Sequence, residues 1–156
     1  MPAQLSLRDV LEKAIQKEIE SQRLYTGLSQ KVKDESAVTA FKDLSRQELG
    51  HQNLLESYLR GEVKEGVLGA GHAVDYKIAE QLNQPEISPD MKLGDVFLLA
   101  AGREKAAHDI YTSLSQIHPA GEAKKLFEKL AAQEMEHKQR IESLYTEVAF
   151  PQTNGG

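Results

Sequence analysis

The sequence predicts an all-α protein, a four-helix bundle made of two repeated helical hairpins joined by a long crossover. Three observations predict it. Apolar residues recur at helical spacing nearly everywhere, and no stretch alternates cleanly enough to suggest a strand. The periodic segments are separated by two short connections and one long one, as a bundle of two hairpins requires. The second pair of segments also repeats the first at a constant offset of 86 residues.

The elements follow in order. Ser6 followed by Asp9 reads as a helix start, and Leu7, Val10, Leu11 and Ala14 continue the pattern to about Val32. A second helix runs from Asp34–Ser36 to about Arg60, where Gly61 can take the left-handed stop. A third starts after Ser88-Pro89-Asp90, with Asp95 in its first turn, and ends before His118-Pro119-Ala120-Gly121. The fourth spans about Glu122–Val148, ahead of Pro151. Residues 61–91 form the crossover, read as a spacer rather than a lid, with a short helix expected over Tyr76–Leu82. The single domain is expected over 1–150, with 151–156 a frayed tail.

Composition narrows the function classes. With 40% hydrophobic and 28% charged residues, 156 positions suit one globular domain with one core. No apolar run approaches the roughly 20 residues of a membrane span. No strongly basic segment offers a nucleic-acid footprint, and the net charge is −5. No signal-peptide stretch opens the chain, so a cytoplasmic location is expected, with neither nucleic acid nor membrane as partner. There are no cysteines, which excludes disulfides, thiolate metal sites and a cysteine nucleophile. Any chemistry must use oxygen and imidazole.

The repeat concentrates on polar residues. Its identical pairs include Glu18/Glu104, Tyr25/Tyr111, Gln47/Gln133, Glu48/Glu134 and His51/His137, with no gap. Residues seven apart on a helix share a stripe. Leu11, Glu18 and Tyr25 share one; so do Phe97, Glu104 and Tyr111. Phe41, Glu48 and Leu55 lie beside Leu44, His51 and Tyr58, and Phe127, Glu134 and Ile141 beside Leu130, His137 and Leu144. All six polar residues therefore point inward. Glu20 and Glu136, two positions from a core glutamate, fall on the far side as solvated carboxylates.

Four unpaired carboxylates in one core would cost many kcal/mol, and the same stripes supply no arginine or lysine. Two divalent metal ions carry the matching +4, and two neutral histidines complete a ligand set. Glu-x-x-His presents both side chains to one metal from a single helix face. A glutamate from each of two helices plus Glu-x-x-His from each of the other two is the di-iron carboxylate arrangement. With 17 Glu and 5 His, about 0.5 Glu-x-x-His matches are expected by chance. Two matches related by the repeat are a much stronger signal. The metal ligands are thus read as Glu18, Glu48, His51, Glu104, Glu134 and His137. The competing reading is a buried Glu–His hydrogen-bond network without metal. His72, His108 and His118 are read as surface or loop histidines, and Gln47 and Gln133, turned about 100° from the ligand stripe, as structural. Tyr25 and Tyr111 are either redox-active or core aromatics whose hydroxyls a buried carboxylate satisfies.

Ala14-Ile-Gln-Lys-Glu18 with Tyr25, Leu44-Ser-Arg-Gln-Glu48-Leu-Gly-His51, Glu104-Lys-Ala-Ala with Tyr111, and Leu130-Ala-Ala-Gln-Glu134-Met-Glu-His137 carry a family resemblance. The chain resembles the rubrerythrin-like branch of the ferritin-like superfamily over about residues 7–147. The resemblance implies a ferritin-like bundle, two iron ions in a non-haem site, chemistry on hydrogen peroxide or dioxygen, and a homodimer. Rubrerythrins proper add a cysteine-ligated rubredoxin domain and a further carboxylate one turn after the third-helix glutamate. Here there is no cysteine, and Ala107 takes that place, with Ser21 as its repeat mate. The site is the plain six-ligand version, and its electrons would come from an external donor.

Three functions compete. A redox enzyme would use Glu18 and Glu104, with Tyr25 and Tyr111, at the reacting centre. An iron-handling protein would oxidise ferrous iron there and pass it on. A structural bundle would bind metal without turnover. Glu and His ligands suit iron and also admit manganese or zinc.

Overall fold

The computed structural model describes residues 5–70, 73–74, 81–82, 84–88 and 90–149. Four long helices carry the fold: α1 (Leu7–Lys31), α2 (Glu35–Leu59), α3 (Leu93–Gln116) and α4 (Glu122–Ala149). The pairs α1/α2 and α3/α4 pack as two hairpins, an all-α bundle. Each helix begins and ends within a few residues of where periodicity and capping place it. Ser6 caps α1 by accepting the Asp9 amide at 3.1 Å, and Gly61 takes φ +77 just past the end of α2.

Leu7–Ile15 of α1 shares a core cluster with Ile110 and Leu114 near the end of α3, so those helices run antiparallel. Leu55 of α2 meets Phe127 and Leu130 near the start of α4, so that pair is antiparallel too. The second cluster gathers the repeat mates at the other end, with Tyr25, Phe41, Leu44, Phe97 and Ile141. The internal twofold thus lies across the bundle and exchanges its two apolar halves. Each fully buried Leu or Phe in them contributes roughly 1.5–3 kcal/mol. Between the halves lies a polar layer, and its residues are the heptad-flanked glutamates and histidines.

Two features depart from the sequence reading. A two-residue antiparallel ladder pairs β1 (Leu5–Ser6) with β2 (Ala73–Val74) and ties the N-terminal segment to the crossover. A ladder this short leaves no alternation to detect. His118 lies in the loop after α3, as expected, but not on the surface: it is 4% exposed. Its Nδ1–H donates to the Leu114 carbonyl at 2.7 Å, and its Nε2 accepts from the Tyr58 hydroxyl at 2.5 Å. Tyr58 in turn accepts the Val67 amide at 3.0 Å, which pins the start of the crossover to the core.

The crossover also caps α4. Glu65, at φ 59, sets its carboxylate 2.9 Å from the Glu122 amide, and the Lys64 carbonyl accepts the Ala123 amide at 3.0 Å. A Cβ on Gly121 would stand 2.6 Å from the Glu65 carboxyl carbon, so this approach needs glycine. Further on, Leu82 is buried in the first apolar cluster. These contacts exceed what a plain spacer makes. The expected helix at Tyr76–Leu82 falls on residues 76–80, outside the described residues, while Gln81 and Leu82 form a turn.

Candidate metal centre

All six expected ligands are at most 2% exposed and occupy the layer between the two apolar halves. Glu18 comes from α1, Glu48 and His51 from α2, Glu104 from α3, and Glu134 and His137 from α4. Their flanking heptad residues sit in the two clusters, which fixes the inward direction. Glu20 and Glu136 are exposed, as the 200° rotation requires.

A trio of Glu48, His51 and His137 links two overlapping groups of four donors. Glu18, Glu48, His51 and Glu134 form one, and Glu48, Glu104, Glu134 and His137 the other, with all atoms in a group within 4.8 Å of one another. Glu48 and Glu134 belong to both. Nδ1 of His51 lies 2.5 Å from Glu134 Oε1 and 3.6 Å from both Glu18 Oε2 and Glu48 Oε1. Nδ1 of His137 lies 2.7 Å from Glu48 Oε1 and 3.6 Å from Glu104 Oε2. Despite these short separations, the atoms do not align as donor and acceptor. One oxygen of each glutamate and Nδ1 of each histidine is left buried without a hydrogen-bond partner.

Six orphaned donors facing a common centre fit cations. Each unsatisfied buried polar group costs roughly 1–3 kcal/mol, and more when charged. The donor set, carboxylate and imidazole without thiolate, suits first-row divalent metals. Left to themselves, two of the carboxylates resist ionisation. Burial, then the charges of Glu104 and Glu18, push Glu48 well above the usual carboxylate range. Burial and the same neighbours, with Glu48, do this to Glu134. Burial alone would lower His51, but the Glu18 carboxylate beside it prevails and raises it. Metal ions would replace the protons these groups otherwise retain.

Both expected tyrosines reach the layer, and they do so across the bundle. Tyr25 of α1 donates to Glu104 of α3 in a short hydrogen bond, and Tyr111 of α3 donates to Glu18 Oε1 of α1 at 2.5 Å. Burial first, then the adjacent carboxylates, raise both phenols well above their ordinary value, so they remain protonated donors.

Gln47 and Gln133 have a role that the sequence reading missed. His137 Nε2 lies 2.6 Å from Gln47 Oε1, and His51 Nε2 lies 2.7 Å from Gln133 Oε1. Each glutamine therefore orients the imidazole of the opposite hairpin. The sequence did carry a signal, their conservation through the internal repeat. Their stripe, 100° from the ligands, points toward the neighbouring helix, and only the packing of α2 on α4 reveals what waits there. His108 stands apart from the centre, with Nδ1 2.9 Å from the Ala131 carbonyl, as does His118. His72 lies outside the described residues.

The bundle is close between α2 and α4 and open between α1 and α3. A cavity of about 40 Å³ lies in that opening, lined by all four glutamates and Tyr111. It has room for about three waters. Small residues, Ser21 and Ala107, keep it clear over the carboxylates, while Lys17, Arg103 and the crossover residues Gln81 and Gln84 line its outer part. Arg103 donates to the Pro85 carbonyl at 3.3 Å and holds Glu20 at 3.8 Å, with its Nε buried and unpartnered.

A family model for rubrerythrin matches residues 9–81 and 95–153, covering both hairpins and all six converging residues. The chain belongs to the rubrerythrin family. No curated protein and no solved structure matches it significantly. In this rubrerythrin chain no residue is a cysteine, so no cysteine-ligated centre lies within its 156 residues. The family typically binds a di-iron centre, and the buried Glu/His groups here are able to hold metal. No described helix is long and apolar enough to cross a membrane.

Proposed function

We propose that the chain is a di-iron oxidoreductase that acts on hydrogen peroxide or dioxygen. One observation carries the reading: six buried donor atoms without hydrogen-bond partners, in two overlapping groups that share Glu48 and Glu134. Glu18 and His51 would complete one iron position, Glu104 and His137 the other. Two irons bound there supply one-electron redox change and Lewis-acid stabilisation of a small oxygen ligand.

The protein's own residues set the conditions. Four carboxylates balance the charge of two divalent ions, so loading leaves little net charge in a buried layer. Tyr25 and Tyr111 donate hydrogen bonds to Glu104 and Glu18 oxygens and fix those side chains. The α1/α3 cavity has room over the carboxylates for a molecule the size of peroxide or dioxygen. Arg103 and Lys17 give its outer part a positive lining. With no cysteine in the chain, electrons come from a separate donor, and a homodimer in the cytoplasm is the proposed working form.

One observation favours a second reading, ferrous-iron oxidation. Ala107 stands where the peroxide-reducing relatives add a carboxylate, and its repeat mate Ser21 supplies none. Manganese or zinc would fit the same donors. The test is metal analysis of protein purified without oxygen, followed by repeated peroxide additions. Recovery of the diferrous spectrum with reductant after each addition supports the first reading. Accumulation of many irons per chain supports the second. Bound metal that never changes oxidation state would leave only a structural role.

A further inference from the structure

The surroundings of the two imidazoles break the internal twofold. On one side, His137 Nε2 faces Gln47 Oε1 at 2.6 Å, and the Gln47 amide nitrogen donates to Asp43 Oδ2 at 2.9 Å. The same Asp43 oxygen accepts from Arg140 at 2.7 Å, and Arg46 lies 3.6 Å from the other. The hydrogen bond from Arg140 holds the Asp43 carboxyl below its usual range, so it stays ionised. An ionised carboxylate only accepts, so the Gln47 amide nitrogen must face it. The Gln47 oxygen must then face His137, and an amide oxygen also only accepts. Nε2 of His137 therefore carries the proton, and the Nδ1 lone pair is turned toward Glu48 and Glu104.

The other side has the glutamine without its anchor. Gln133 Oε1 lies 2.7 Å from His51 Nε2. At the 86-residue repeat distance, Asp43 becomes Lys129 and Arg140 becomes Leu54. Lysine has donors and no acceptor. Among the described residues no acceptor fixes the Gln133 amide nitrogen, so neither that amide nor the His51 tautomer is locked in one orientation.

We infer that the two metal positions are unequal, with Asp43 acting through Gln47 as the positioning residue that makes the His137 position fill first. The inference rests on the dinuclear reading of the site. Partners behind a metal-bound histidine typically change metal affinity 10–100-fold, by fixing the ring and raising its basicity.

Zinc binding to the metal-free protein tests this without redox chemistry. Calorimetric titration of the wild type with Zn(II) is expected to resolve two steps separated by roughly 10–100-fold. With nitrogen-15-labelled histidine and one equivalent of zinc, the Nδ1 signal of His137 should shift before that of His51. Asp43→Leu should weaken the tighter step by about the same factor and leave the other unchanged. Asp43→Asn, which still offers an oxygen, should retain most of the gap. Lys129→Asp supplies the missing acceptor and should tighten the weaker step, a gain that stands even where Asp43→Leu fails to fold. Two zinc ions bound in indistinguishable steps, or a Lys129→Asp protein with the wild-type gap, would overturn the inference alone. Equal weakening of both steps by Asp43→Leu would reduce Asp43 to a helix-pairing role and overturn it as well. Fewer than two zinc ions on the wild type would overturn the dinuclear reading and the inference together.

Discussion

Tyr111 on α3 donates its hydroxyl proton to Glu18 Oε1 on α1 at 2.5 Å, across the same opening that leads to the buried carboxylates. Its repeat mate Tyr25 does the same for Glu104, so each hairpin steadies the lone glutamate of the other. Both oxygens left over, Glu18 Oε2 and Glu104 Oε2, have no hydrogen-bond partner. The division is chemically economical: one oxygen is committed to a phenol and the other is kept for a cation.

Tyr111→Phe removes a hydrogen bond to a charged group and should cost the metal-loaded protein roughly 1.5–3 kcal/mol. Metal should still bind, because the converging carboxylate and imidazole donors are all retained. Chemical denaturation of loaded wild type and variant reads the first effect, and metal content reads the second. If Tyr111→Phe also abolishes redox turnover while retaining both metals, the phenol has a role in the reaction beyond steadying Glu18.

Metal-free protein should lose stability as the pH rises above the ordinary carboxylate range and through the raised values of its buried groups. Glu48 and Glu134 have folded-state values raised by burial and neighbouring carboxylates, and His51 is raised by Glu18. A raised group stabilises the fold fully below its unfolded value, and that stability is lost as pH climbs through the folded value. Glu104 runs the other way: burial opposes ionisation, but hydrogen bonds from Glu134 and His137 lower it. It is one group against three. The metal-loaded protein should show the opposite slope, because metal displaces those protons. Thermal unfolding across this pH interval, with and without metal, gives both slopes; parallel slopes would contradict the account.

Most of the architecture was legible because periodicity and the repeat act within single helices. Ser6, Gly61 and the heptad neighbours of Glu18 or His51 each predict something local, and the helices and inward-facing donors follow. What was not legible depends on how helices face one another. Gln47 looked structural because its direction was known and its target was not. His118 looked exposed because it follows a helix end beside Pro119, yet Tyr58, 60 residues earlier, encloses it. The capping of α4 by Glu65 likewise joins residues 57 apart with no shared pattern.

Glu65 offers a test of the crossover. Glu65→Ala loses the α4 cap but keeps the left-handed backbone, and should destabilise by about 1–2 kcal/mol. Glu65→Gly also loses the cap, yet relieves a conformation that costs a non-glycine residue roughly 1 kcal/mol or more. The glycine variant should therefore be the more stable of the two in urea unfolding. The reverse order would show that the φ 59 conformation is not strained.

Ala107→Leu should obstruct the cavity without touching a donor atom. Ala107 lines it while standing outside both converging groups. Metal content and the diferrous spectrum should match wild type, while reoxidation by peroxide slows at least about tenfold, or ~1.4 kcal/mol of barrier. An unchanged rate would place the route of entry elsewhere than between α1 and α3.

The shared glutamates give the most direct test of the dinuclear arrangement. Glu48 and Glu134 belong to both donor groups, while Glu18 and Glu104 each belong to one. Glu48→Ala withdraws an oxygen from both positions and breaks the charge balance of each, so dialysed protein should retain well under one metal per chain. Glu18→Ala strips only the His51 position, and should retain about one metal, held by Glu48, Glu104, Glu134 and His137. Metal analysis of both variants after equilibration with zinc separates the cases, and circular dichroism verifies that each remains helical. Equal losses in the two would mean that the six donors serve one cation rather than a bridged pair, since only sharing makes Glu48 worth two ligands.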